Sequence, residues 1–114
     1  MISGISSSLS GLLAFTRTLS NTAGNIANVN TDGYKKTRAT IVEDGNCLAD
    51  VSVEKVCTPG PMIKETDGTL REFSNVELAE EFPRMVISQR GYEANINALK
   101  VEDEMIGSLL DMIG

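Results

Sequence analysis

Apolar residues recur at alternating steps of three and four at both ends of this chain, and nowhere between. The first stripe is Ile2, Ile5, Leu9, Leu12, Thr16, Leu19, Ala23 and Ile26. The second runs through Leu78, Phe82, Met85, Gln89, Tyr92, Ile96, Leu99, Asp103, Ile106, Leu110 and Ile113. That spacing keeps one edge aligned along a helix and predicts two helices built to pair. The first spans residues 3–28. Fifteen of its residues are Gly, Ser, Thr or Asn. At roughly 0.5–1 kcal/mol each against Ala, they carry a deficit of about 10 kcal/mol. Complete burial of the large stripe residues would return about 10 kcal/mol, so this helix is expected only when packed.

Asn30-Thr31-Asp32-Gly33-Tyr34 ends the helix, with Gly33 able to take positive φ at the turn. From Lys35 to Phe73 the texture changes. Thr37–Glu43 and Cys47–Val53 flank Asp44-Gly45-Asn46, and Met62–Thr66 and Thr69–Phe73 flank Asp67-Gly68. Both read as hairpins, either separate or joined as one four-stranded sheet. Ser74-Asn75-Val76-Glu77 has the spacing of a capping box, with Ser74 as N-cap of a last helix that reaches about Ile113. Pro83 lies inside it and predicts a kink or restart. The last helix outruns the first, which leaves Ile106, Leu110 and Ile113 without a partner in the chain. The expected fold is α+β: paired long N- and C-terminal helices forming a coiled coil, with a small antiparallel β-hairpin insert. Residues 1–34 and 74–114 form the terminal-helix assembly domain, and 35–73 the insert.

Charge sharpens this picture. Arg17 is the only charged residue from 1 to 31. The first helix therefore backs its apolar stripe with Ser, Thr, Asn and Gly, a face cheaper to desolvate than a charged one. The expected assembly interface is Ile5, Leu9, Leu12, Leu19 and Ile26 with Phe82, Met85, Tyr92, Ile96, Leu99, Ile106 and Leu110. A net charge of −6 argues against nucleic acid as a partner. No apolar run is long enough for a membrane span, and Met1-Ile2-Ser3-Gly4 lacks the basic start of a cleavable signal.

Candidate chemistry is thin. Histidine is absent, and no phosphate loop or nucleophile–base pair appears, so neither an enzyme nor a cofactor is expected. Asn28-Val29-Asn30-Thr31-Asp32-Gly33 imitates the opening of a calcium loop, but Ala39 occupies the twelfth position, where a bidentate Glu belongs. Cys47 and Cys57 cannot make a zinc site alone. On one extended strand they would lie about 33 Å apart, too far to bridge. Free thiols are the simplest reading; a turn between them or an intermolecular bridge stays open. Asn21, Asn25 and Asn28 form an amide stripe, to be satisfied by neighbouring subunits or to cap and solvate the surface. Gln89 and Asp103 interrupt the second stripe, where they would fix register, or, for Asp103, lie exposed beside Lys100.

The run Gly24-Asn25-Ile26-Ala27-Asn28-Val29-Asn30-Thr31-Asp32-Gly33-Tyr34-Lys35 resembles the N-terminal signature of bacterial flagellar rod and hook proteins. Ser74-Asn75-Val76-Glu77-Leu78-Ala79-Glu80-Glu81-Phe82, followed by Gln89-Arg90-Gly91-Tyr92-Glu93-Ala94-Asn95, is similar to the second signature of that family. The motif residues are Asn25, Asn28, Asn30, Thr31, Gly33, Tyr34, Gln89, Arg90, Tyr92 and Asn95. The resemblance implies a structural subunit whose terminal helices polymerise, with copies of itself and other axial proteins, into a tube that transmits torque. It also implies passage through the flagellar type III export apparatus and a place in the basal body. Gly24 and Pro83 depart from the family pattern, and the short insert is most like that of short rod proteins. The rival reading is a soluble helical-hairpin adaptor or secretion-linked regulator outside the axial tube.

Overall fold

The computed structural model describes residues 2–114. Helix α1 (Ile2–Ala27) leads into two hairpins, β1 (Thr37–Glu43) with β2 (Ala49–Lys55) and β3 (Met62–Lys64) with β4 (Leu70–Glu72). Helix α2 (Leu78–Ile113) follows. The architecture is α+β and elongated, about 80 × 25 × 14 Å. The hairpins form two separate two-stranded antiparallel sheets rather than one four-stranded sheet.

The helices lie antiparallel: Gly4 faces Glu102, Gly11 faces Asn95 and Phe15 faces Gly91. At 1.5 Å per residue α1 is about 39 Å long and α2 about 54 Å. With Gly4 set against Glu102, α2 from Met105 onward passes the start of α1 and has no partner helix among the described residues. Leu110, Met112 and Ile113 are exposed there.

The hairpins are fixed by local polar chemistry. Asp44 accepts hydrogen bonds from the Asn46 and Leu48 amides at 2.8 and 3.0 Å, which lowers its pKa. Asp67 does the same for Thr69, whose hydroxyl and amide hold it at 2.6 and 2.9 Å. In the first turn the positive φ falls on Cys47 (61°), not on Gly45. Strand β2 therefore starts at Ala49, two residues later than the sequence predicts.

Two further expectations at the start of α2 need correction. Its N-cap is Glu77, without a side-chain cap bond, so the box from Ser74 to Glu77 does not form. Asn75 is engaged elsewhere: its Oδ1 accepts the Lys36 amide at 2.6 Å, and its amide donates to the Val56 and Thr58 carbonyls at 2.9 Å. Ser74 instead turns to the Val76 amide. Buried Ser74, Asn75 and Val76 thus clamp the loops at both ends of the first hairpin in extended form. Pro83 does not interrupt α2, which is continuous from Leu78. The proline removes only the bond to the Ala79 carbonyl, and Ala79 is exposed to solvent.

Candidate assembly interface

Apart from Phe15, the residues that meet between α1 and α2 are small or polar. On α1 the line of contact runs through Gly4, Ser8, Gly11, Phe15, Thr18, Thr22 and Asn25; on α2 it runs through Glu81, Arg84, Ser88, Gly91, Asn95 and Glu102. Both follow the three-four rhythm. Ser8, Thr22, Asn25, Glu81 and Ser88 are buried. An added Cβ at Gly11 would lie 2.7 Å from Asn95 Oδ1, and one at Gly91 would overlap the Phe15 ring. The helices therefore pair by close backbone approach at small residues. Glu81 Oε2 and Glu102 Oε2 are buried along this line with no hydrogen-bond partner among the described residues. The joint is weak in apolar content.

The large stripes run one residue further along each helix. In an antiparallel pair a step of one residue, about 100° of turn, rotates both stripes towards the same side. Ile5, Leu12, Leu19 and Ile26 with Met85, Ile96 and Leu99 are half buried beside the joint. Leu9, Phe82 and Tyr92 are exposed, at 51%, 47% and 39%. Ile106 is half buried and Leu110 exposed on the same stripe, beyond the end of α1. The helical pair thus carries one broad apolar face that nothing among the described residues covers. The first hairpin lies on the opposite side, against residues one step before the joint. Ser10 Oγ accepts the Ala49 amide at 3.2 Å, Arg17 pairs with Asp50 at 2.9 Å, and Asn21 donates to the Thr37 carbonyl at 2.8 Å.

The motif residues divide into two groups. Asn25 is 1% exposed and grips the start of β1. Its amide donates to the Thr37 carbonyl at 2.7 Å, while its Oδ1 accepts the Thr37 amide at 3.0 Å and the Tyr34 hydroxyl at 3.2 Å. Asn28 donates to the Gly24 carbonyl at 2.9 Å and accepts the Thr31 hydroxyl at 3.1 Å. The amide stripe is therefore satisfied inside the chain, not held open for neighbours, because the hairpin folds back directly onto it. Gly33 takes φ 67° at the turn and donates its amide to the Glu72 carbonyl at 2.9 Å, which ties the second hairpin to the end of α1. Asn30 is exposed. In α2, Gln89 and Arg90 pair with Glu93 on the exposed surface, and the Asn95 amide donates to the Gly91 carbonyl beside Gly11. Asp103 is exposed.

Two ion pairs lock the insert, and sequence reasoning did not find them. Lys36 is buried and donates to Glu80 at 2.7 Å; Lys35 pairs with Glu72, which also accepts the Gly60 amide at 2.9 Å. The hydrogen bond from Lys36 lowers the Glu80 pKa, and that from Lys35 lowers the Glu72 pKa. Two adjacent lysines after a helix break, followed some forty residues on by acids, are the only trace these pairs leave in sequence. Cys47 and Cys57 are free and exposed. Among the described residues no cluster suits a metal ion, and no helix is long and apolar enough to cross a membrane.

These features define a class: a two-helix hairpin, joined by small residues, that keeps its large apolar side chains outside. Residues 5–35 match the family described as flagella basal body rod protein. Residues 66–112 match the flagellar basal body rod FlgEFG protein C-terminal family. Between them the matches cover about two thirds of the chain, in the order and at the ends where the signatures lie. Among relatives, the chain is 34% identical over 74 residues to the flagellar hook protein FlgE of Treponema pallidum, covering 64% of this chain and 15% of that protein. It is 37% identical over 49 residues to FlgE of Salmonella typhimurium, covering 43% and 12%. With the flagellar basal-body rod protein FlgG of Borreliella burgdorferi it shares 47% identity over 36 residues, covering 32% and 14%. The chain thus spans less than a sixth of the length of each. It belongs to the bacterial flagellar rod and hook family of structural axial proteins.

Proposed function

We propose that this chain is a subunit of the flagellar basal-body rod. Residues 1–34 and 74–114 act as its assembly domain, and residues 35–73 form an insert on the other side of the helical pair. The observation that carries this reading is the uncovered apolar face. Burying a large apolar side chain contributes about 1.5–3 kcal/mol, and the chain itself leaves Leu9, Phe82, Tyr92 and Leu110 largely in water. Copies of this chain and other axial proteins are the fitting cover for that face. Packed this way, terminal helices make a stiff wall that carries torque. The joint of small and polar residues also suits delivery through the flagellar type III export apparatus, because it is easily opened and re-formed.

Leu9→Asp and Phe82→Asp test the reading. Both positions are half in water, so the single chain should keep its helical content and its hairpins. A carboxylate buried in a subunit contact costs several kcal/mol, so neither variant should enter basal bodies purified from the native host, and cells carrying either should not swim. Normal incorporation of both would remove the apolar face as the assembly surface. A wild-type chain that is absent from basal bodies and stays a discrete oligomer would instead fit a helical-hairpin adaptor.

A further inference from the structure

Where α1, β1 and the first turns of α2 meet, the joint holds a small polar cavity. Thr18 and Thr22 line it from α1, Ala39 from β1, and Glu81 and Arg84 from α2. Its volume is about 10 Å³, close to the space that the centre of a single water needs. Thr22, Ala39 and Glu81 are buried, at 2%, 8% and 3% exposure. Glu81 Oε2 is aimed at no donor: it is buried and has no hydrogen-bond partner among the described residues. A buried carboxylate oxygen without a donor is costly, so a donor has to come from the cavity beside it.

The walls divide into acceptors and donors. Thr18 spends its hydroxyl hydrogen on the Ala14 carbonyl at 2.8 Å, so its oxygen faces further partners only as an acceptor. Arg84 makes no ion pair among the described residues and keeps guanidinium N–H groups to donate. The charge of the occupant follows from the same walls. Lys36, Arg38 and Arg84 all line the cavity, so a metal ion or another cation would meet positive groups on several sides. Lys36 is turned to Glu80 at 2.7 Å, and Arg38 reaches that same carboxylate at 3.9 Å, so neither is committed to Glu81. An anion would set a second acceptor against Glu81 Oε2, which needs a donor. The occupant that fits is neutral, has one heavy atom, and both donates and accepts.

We propose that the cavity is a hydration site, in which one water donates to Glu81 Oε2 and Thr18 Oγ1 and accepts from the Arg84 guanidinium. Such a water makes about three hydrogen bonds, the usual number for a buried one. It links α2 to α1 across the joint at the level where β1 packs on them. The link lies inside one chain, so it does not depend on how copies assemble.

The test uses the free full-length chain with labelled Ala and Thr methyl groups. Water-to-methyl NOEs should show Ala39 and Thr22 in contact with a water that tumbles with the protein. Oxygen-17 relaxation dispersion should count one long-lived water fewer in Glu81→Met, which keeps the length of the side chain and removes both oxygens. Thr18→Val should shorten the residence time of that water about fivefold, because it removes one of its hydrogen bonds. Absence of the Ala39 cross-peak in the wild-type chain would overturn the proposal, as would an unchanged count in Glu81→Met. A crystal structure in which Arg84 bonds directly to Glu81 Oε2 would overturn it as well. If Glu81→Met does not fold, the wild-type cross-peaks and the Thr18→Val residence time decide the matter.

Discussion

Asn25→Ala isolates the most demanding polar contact in the molecule. Asn25 is buried, and the Thr37 amide, which points at α1 rather than at β2, has Asn25 Oδ1 as its acceptor at 3.0 Å. Truncation leaves that part-buried amide without its partner in the chain, at about 1–3 kcal/mol. The Thr37 carbonyl keeps its second donor, Asn21, at 2.8 Å, so it adds little to the loss. The Tyr34 hydroxyl also loses its acceptor, at a further cost of roughly 0.5–1.5 kcal/mol. The expected total is about 2–4 kcal/mol, large for a chain of this size. Asn28→Ala should cost less than about 1 kcal/mol, because it breaks a local bond from the turn after α1 to the Gly24 carbonyl four residues back, on a part-exposed surface. Urea unfolding of the free chain at one fixed concentration gives both values, provided the slope with denaturant is unchanged. Hydrogen exchange at Thr37 should rise in the first variant alone. A loss under 0.5 kcal/mol for Asn25→Ala, or equal losses for the two variants, would refute the claim that this side chain anchors β1 to α1.

Two helical glycines should respond in opposite directions. Gly24 has no atom within 4 Å of where a Cβ would stand, so Gly24→Ala should stabilise by about 0.5–1 kcal/mol in thermal melts. Gly91→Leu must displace Phe15 and should cost about 1–3 kcal/mol by overpacking. Acid should loosen the insert: Glu80 and Glu72 have pKa values below the ordinary 4.5, so the stability they lend is complete above that pH and is lost as the pH falls through the lowered values. Wild-type melting temperature should therefore drop from pH 5 towards acid more steeply than that of the Glu72→Gln, Glu80→Gln double variant. Parallel curves would place the acid response elsewhere.

Much of this architecture is legible in the chain because spacing encodes it. Three-four rhythm marks both helices, Asp-Gly turns mark the hairpins, and Gly33 marks the left-handed bend. What spacing does not encode is which edge of each helix the partner helix takes. Leu9 and Phe82 are the apolar choices, yet Ser8 and Glu81, one residue earlier, are the buried ones. Volume decides this: Gly11 and Gly91 let two backbones approach where leucines would hold them apart. Hydrophobicity read from sequence marks the large stripes, not the edge along which the two helices of this chain touch. Asn75 is illegible for a related reason. The spacing of Ser74 and Glu77 around it suggests a cap formed by those two residues, but Asn75 takes long-range partners at Lys36, Val56 and Thr58 that hold the segment extended. The ion pair from Lys36 to Glu80 likewise depends on a register that only the folded chain supplies.

In the assembly proposed above, the unpaired end of α2 sets a direction. A stack of such subunits, all pointing one way, would have unlike ends, because one terminus would display bare helix tips and the other would not. Growth at one terminus asks an incoming copy for a chemistry different from growth at the other. Whatever starts or closes the stack must mimic half of the contact and lack the remaining half. A single helix ten residues longer than its partner would be enough to give such a polymer a head and a tail.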